Sequence, residues 1–260
     1  MPVPIDFHAP ANRDTYAGRD ADASWRDAVR AALDPAGLDV ADVGCGAGVY
    51  SRAWSELGAA SVVGVDSSAV MLSAAEEETG GTGSVRFVRG DAAATGLPGA
   101  AVDVVFERAL AHHAPDLRAV VSEARRLLRP GGRYLVQDRT ADDVRQPPGR
   151  RHPRGYLFEV FPRLLEFELA RRPDPAALGA AMRGAGFEVS TQILWELRAV
   201  HPHRNAYLEE IRQRRGRSIL HELDDREIAR LVDVLAERLP AGEPVVETDR
   251  WTLWTGALPA

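Results

Sequence analysis

The sequence predicts an α/β fold, a mostly parallel sheet with helices on both faces. Three observations carry this reading. Short apolar runs alternate with stretches of helical periodicity through the first half of the chain. Five strand candidates alternate with helices, which implies a mostly parallel sheet covered on both faces. Gly44 to Gly48, Asp66, Asp91 and Glu107 all fall at strand ends, where open α/β sheets bind ligands.

The elements follow in order. Trp25–Leu33 reads as a short amphipathic helix, with Ala, Val and Leu on one face. Asp39–Val43 is the first strand and runs into a glycine-rich turn. Val49–Leu57 is a helix that Gly58 stops. Ser61–Val65 is the second strand, and Ser67 is the expected N-cap of a helix through Glu78. Val85–Val88 and Val102–Phe106 are the third and fourth strands. Leu117–Leu128 is a helix that Pro130-Gly131-Gly132 ends, and Arg133–Gln137 is the fifth strand.

Beyond Thr140 the rhythm changes. Asp142–Pro153 is polar and Pro-rich and reads as a loop. Tyr156–Leu169 carries large apolar residues at helical spacing, and Pro175–Ala185 is a helix closed by Gly186. Val189–Leu197 and Val245–Trp254 are late strands, while His201–Leu239 reads as helical with a break near Gly216. The expected organisation is one domain over 1–260. Its ligand-binding core spans about 36–140, and helical lid or acceptor inserts span about 141–172 and 199–240.

Composition narrows the function. The chain has 260 residues, 45% of them hydrophobic and 27% charged, with a net charge of −6. That is the make-up of a globular protein, and the negative balance argues against a general nucleic-acid binder. Cys45 is the single cysteine, so no intrachain disulfide can form, which fits a reducing compartment. No signal-peptide pattern and no long apolar run is present, so a cytoplasmic protein without a membrane span is expected. The oligomeric state, monomer or homodimer, is left open. The chain contains no lysine, which removes that residue from any catalytic role.

The glycine turn carries the first chemical signal. Asp42-Val43-Gly44-Cys45-Gly46-Ala47-Gly48 joins a strand to a helix. Glycines there let the backbone approach a ligand, and the helix N-terminus offers free N–H groups. Counted from Gly44, the sixth position is Val49, which breaks the dinucleotide G-x-G-x-x-G spacing. The phosphate-binding loop is excluded by the missing lysine. An acid two residues before the first glycine repels a pyrophosphate but tolerates a zwitterion. Asp66 can accept hydrogen bonds from ribose hydroxyls. Asp91 can accept from an adenine amino group, and the Ala92 N–H can donate to the ring.

With these residues placed, the chain resembles the class I S-adenosylmethionine-dependent methyltransferases. The likeness is greatest to the small-molecule group typified by ubiquinone and menaquinone biosynthesis. The resemblance rests on Val40 to Gly48, on Val65-Asp66-Ser67-Ser68 with Met71-Leu72, and on Gly90-Asp91-Ala92. Val102 to Phe106, leading to His113-Ala114-Pro115-Asp116, and Leu127 to Gly132 complete it. It implies a Rossmann-like seven-stranded, mostly parallel sheet whose last strand is antiparallel, with Trp251–Trp254 inserted beside Val189–Leu197.

It also implies roles. Gly44, Gly46 and Gly48, with Cys45, line the methionine part of S-adenosylmethionine, and Asp42 lies near its ammonium. Asp66 with Ser67 takes the ribose, and Asp91 and Ala92 read the adenine. Glu107 lies near the methionine end, although Glu107-Arg108 is a charged pair where the family has small or polar residues. Tyr16 and Arg19 are expected to close the pocket. The product is S-adenosylhomocysteine, and the expected partner is a small-molecule acceptor.

Methyl transfer requires alignment and exclusion of water more than a catalytic side chain. For an oxygen or protonated nitrogen acceptor, His113 and His112 are the candidate bases. Tyr156, Phe158, Phe161 and Trp195 are candidates for an apolar acceptor pocket. His201 and His203, placed in a lid insert, find no third ligand, so no metal is expected. Arg212, Arg214, Arg215 and Arg217 form a basic run, which keeps an RNA or protein acceptor as the alternative. A non-enzymatic nucleotide-binding protein is the third reading.

Overall fold

A computed structural model describes residues 20–80, 83–215 and 217–260. Tyr16 and Arg19 lie outside the described residues. Seven strands form one sheet: β1 (Asp39–Val43), β2 (Ser61–Asp66), β3 (Val85–Arg89), β4 (Val102–Arg108), β5 (Leu128–Asp138), β6 (Glu188–His201) and β7 (Val245–Ala257). Their order is β3-β2-β1-β4-β5-β7-β6. Pairing is parallel from β3 to β5, and β7 enters antiparallel between β5 and β6.

Alternation along each strand divides the apolar residues between two cores. Ala41, Val63, Val105 and Tyr134 face α4 (Leu117–Leu127) and α8 (Pro175–Gly184), through Val121, Leu127, Leu178 and Met182. Val40, Val62, Val104 and Leu135 face α1 (Ala23–Ala32) and α2 (Val49–Glu56), through Trp25, Val29 and Trp54. This two-sided burial is why apolar residues occupy both alternating sets of positions along these strands.

A third core lies outside the sheet. Tyr156, Leu157 and Phe158 of α6 (Arg154–Val160) and Leu164 of α7 (Pro162–Ala170) pack there. They meet Tyr207, Leu208 and Ile211 of α9 (Arg204–Arg212) and Ile228, Leu231 and Leu235 of α10 (Asp225–Arg238).

β6 and β7 are longer than their alternating cores suggest. β5 pairs with β7 only over Arg133–Asp138 against Ala257–Thr252. From Leu194 to His201, β6 pairs with Trp251 to Val245 alone. The two strands therefore project as an arm past the carboxyl end of β5. A register shift between Leu197 and Ala199 interrupts the arm at Arg198.

Several sequence expectations are corrected. The N-cap of α3 (Ala69–Thr79) is Ser68, not Ser67: its side chain accepts from the Met71 amide. Ser67 stays exposed. Pro130-Gly131-Gly132 does not end a helix. It sits inside β5, where the register with β4 shifts between Val102 and Val104. The stretch 142–153 is not all loop, because Thr140 and Asp143 form a capping box on α5 (Ala141–Val144). His201 ends β6 and His203 is the N-cap of α9, so the helical reading that began at His201 starts only at Arg204.

Candidate functional site

At the carboxyl ends of the parallel strands lies a cleft of about 620 Å³, within the size range of small-ligand sites. Its first wall is the glycine turn. Gly44, Gly46 and Gly48 all take positive φ, at 75°, 53° and 74°. The Gly44 and Cys45 amides both donate to the Val65 carbonyl, at 2.7 and 3.0 Å, which ties the turn to β2. Gly48 serves as the left-handed N-cap of α2 and offers no side-chain cap. A Cβ at Gly48 would come 2.8 Å from Phe87 Cζ, so the position is closed to other residues.

The acids take distinct environments. Asp42 is buried and accepts the Ser51 hydroxyl at 2.5 Å. Burial, opposed by Ser51 and aided by the charge of Asp66, pushes its pKa up to about 7. Asp66 accepts the Gly46 and Ser68 amides, each at 2.9 Å, one on each carboxylate oxygen. A carboxylate has further lone pairs, so Asp66 can still accept from a ligand in the cleft. Asp91 is exposed and accepts the Ala93 amide at 2.8 Å, which shapes the turn that presents Ala92. The Cys45 thiol is buried, and burial holds it protonated by pushing its pKa well up.

The cleft gathers Asp42, Gly44, Cys45, Gly46, Asp66 and Ser67. Asp91, Ala92, His112 and His113 line it further along. Gly48 and Glu107 do not line it. Glu107 is buried beside Tyr134 and Asp138, where burial pushes its carboxyl up to about 8. Its neighbour Arg108 reaches the cleft instead. Arg108 donates to both oxygens of Glu196 at 2.9 Å and lies 4.2 Å from the Trp251 ring centre. Gln137 also donates to Glu196, at 2.7 Å.

β4 leads into a short 3₁₀ turn, Ala111–His113. There the His112 ring stands with Nδ1 3.0 Å from each oxygen of Asp138. The His112 amide donates to the same carboxylate at 3.1 Å. Asp138 is fully buried, which alone would raise its pKa. His112, Arg172 and the Arg139 amide overcome this and hold it below the usual range. With Nδ1 held by the Asp138 carboxylate, Nε2 is the ring nitrogen of His112 left for a ligand. His113 is the more exposed of the two. Desolvation and the adjacent His112 and Arg171 drive its pKa down to about 4.

The opposite wall is charged rather than aromatic. Arg139, Arg154, Arg171, Arg172, Arg198 and Arg217 line it, with Glu168 and Asp249 among them. Tyr156, Phe158 and Phe161 belong to the third core, and Trp195 is 43% exposed, so the expected apolar pocket does not form. The arm explains much of this wall, since it carries Glu196, Leu197, Arg198, Asp249 and Trp251 past the sheet end. The irregularity at Arg198 lets successive residues reach the same cleft. Sequence reasoning missed Asp138, although its place at the end of β5 matches that of Asp66 at the end of β2.

The basic run is dispersed. Arg212 pairs with Glu209 at 3.4 Å, Arg214 with Asp225 at 2.8 Å, and Arg217 is buried against Glu247 at 2.8 Å. No group of three His, Cys, Asp or Glu side chains among the described residues is placed to hold a metal. No helix among them is long and apolar enough to cross a membrane.

Residues 41–136 match the model of a methyltransferase domain. A ubiquinone biosynthesis O-methyltransferase of Pseudomonas paraeruginosa is 33% identical over 165 residues. That match covers 59% of this chain and 66% of the relative, just under two thirds of its length. Among solved structures, a putative methyltransferase from an antibiotic biosynthesis pathway of Anabaena variabilis aligns with a TM-score of 0.65. It shares 20% identity and covers 89% of this chain and 96% of that one. Phosphoethanolamine N-methyltransferase 2 of Haemonchus contortus, in complex with S-adenosyl-L-methionine, aligns with a TM-score of 0.61. Its identity is 16%, over 98% of this chain and 60% of that one.

Proposed function

We propose that this chain is a class I S-adenosylmethionine-dependent methyltransferase that moves a methyl group from S-adenosylmethionine to a small-molecule acceptor. The observation that carries the reading is one continuous cleft that joins the glycine turn, Asp66 and Asp91 to the His112–Asp138 pair. The donor set fits the cofactor. The turn presents backbone without side chains, and Asp66 keeps lone pairs for ribose hydroxyls. Asp91 and Ala92 face the adenine, and Asp42, poised near neutrality, ionises beside an ammonium. S-adenosylmethionine supplies an activated methyl group on its sulfonium.

The remaining work belongs to the chain. His112 Nε2 takes the proton of an acceptor hydroxyl as the new bond forms and the methyl–sulfur bond breaks, or takes that of an acceptor ammonium beforehand, which frees the nitrogen lone pair. Asp138 fixes the ring and stabilises the imidazolium that results. His113, with its low pKa, stays neutral and packs against His112, with ring centres 4.1 Å apart. The surrounding wall excludes water from the line of transfer. Calorimetry of the pure protein with S-adenosylmethionine, S-adenosylhomocysteine, NAD and ATP tests the cofactor class. Binding of NAD without S-adenosylmethionine overturns it.

A further inference from the structure

Among the described residues the arginine wall holds more positive charge than the carboxylates it meets. Among the described residues five arginines, Arg139, Arg154, Arg171, Arg172 and Arg217, meet four carboxylates, Asp138, Glu168, Glu247 and Asp249. Glu168 alone receives Arg154, Arg171 and Arg172, while its side chain is fully buried. Asp138 is shared between Arg172, at 3.6 Å, and His112. The nearby Arg108–Glu196 pair balances itself and takes up none of the excess.

Hydrogen bonding is short in the same place. The Nε–H groups of Arg139, Arg154, Arg171 and Arg172 are buried with no acceptor among the described residues. Arg139 is 6% exposed and Arg154 8% exposed, and all four residues line the cleft. An unmatched buried donor on a cation is costly, and uncompensated buried cations are costlier still. Burial and the neighbouring Arg172 and Arg217 also push the Arg139 guanidinium below its ordinary range. Surplus cationic charge together with several idle donors marks a site suited to an anion. Planar guanidinium forks match the oxygens of phosphate and carboxylate groups.

We propose that the acceptor carries a compact oxyanion, a phosphate monoester or a dicarboxylate, which docks among Arg139, Arg154, Arg171 and Arg172 and so sets the methylated atom beside His112. The proposal rests on the methyltransferase reading for the step that follows docking, but the anion site itself does not. The cofactor's own carboxylate belongs at the glycine turn, on the far wall of the cleft.

The test uses the full chain saturated with S-adenosylhomocysteine, at constant ionic strength. Thermal shift and calorimetry are run with inorganic phosphate, malonate, neutral malonamide and chloride. The expected result is that phosphate or malonate binds at least about tenfold more tightly than chloride, and malonamide does not bind. The stronger of the two anions identifies the oxyanion class. Arg171→Gln, the more exposed substitution, and Arg172→Gln should each weaken that binding about tenfold while S-adenosylhomocysteine still binds. Equal effects of phosphate, malonate, malonamide and chloride on the wild type overturn the proposal, whatever the variants do. Anion binding that survives both substitutions also overturns it, because the anion then sits elsewhere. Failure of S-adenosylhomocysteine to bind the wild type, with phosphate still bound, instead removes the methyltransferase reading and leaves the anion site standing.

Discussion

The carboxylate of Asp66 accepts the Gly46 amide hydrogen at 2.9 Å, so the acid at the end of β2 braces the glycine turn that follows β1. One side chain thus shapes the turn and faces the cleft. Asp66→Ala should weaken S-adenosylhomocysteine binding by roughly 1–3 kcal/mol, the scale of hydrogen bonds lost to a charged group. Titration calorimetry reads this directly. Unchanged affinity removes Asp66 from the site.

The His112–Asp138 pair should act in turnover and not in cofactor binding. His112→Ala should lower kcat by about 10²- to 10⁴-fold, the usual worth of a positioned general base. Asp138→Asn should also lower it, because the amide no longer holds Nδ1 as the carboxylate does. Both should leave S-adenosylhomocysteine affinity nearly unchanged. His113→Ala should keep the wild-type pH profile, since that ring is already neutral above about pH 4. A His112→Ala enzyme with the wild-type rate would assign the proton to another group.

Glu107 should make the fold less stable in alkali. Its carboxyl stays protonated in the folded state to about pH 8, whereas the unfolded chain loses that proton near 4.5. Between these values the native state holds the extra proton, so stability falls as pH rises. Glu107→Gln cannot ionise. It should therefore flatten the decline and gain on the order of 1–3 kcal/mol at pH 8 relative to wild type. Thermal melts from pH 5 to 9 check the sign. Asp42, raised to about 7, keeps part of the slope in the variant.

Gly48→Ala should damage both folding and the site. The residue sits at φ +74°, and its new Cβ would press on Phe87 and Ala75, at 2.8 and 3.1 Å. A loss of roughly 1–3 kcal/mol is expected from overpacking and the left-handed backbone. Denaturant melts give the number. A variant as stable as wild type would show that the turn tolerates a side chain.

The parallel half of the molecule was legible because its signals are local. Strands buried on both faces carry apolar residues toward each of them, and a turn that bends through positive φ favours glycine. The order of β1 to β5 and the positions of Asp42, Asp66 and Asp91 follow from that. Later elements were harder to read. The aromatic residues of α6 and α7 have helical spacing whether they line a pocket or fill a core, and here they fill a core. Arg217 sits in a run of arginines that reads as solvated surface, yet it is buried between Glu247 and Asp249, about thirty residues further along.

Sequence alone determined the sheet, the glycine turn and the acids at its strand ends, because each depends on neighbours within a few residues. Only the tertiary structure decided what faces them. The β6–β7 arm, α6 and α7 bring Arg139, Arg172, Glu168 and Asp249 together from segments far apart in the chain. Charges carry no periodicity that announces a partner. Whether an arginine lies in water or in a buried ion network is set by the surfaces that close over it.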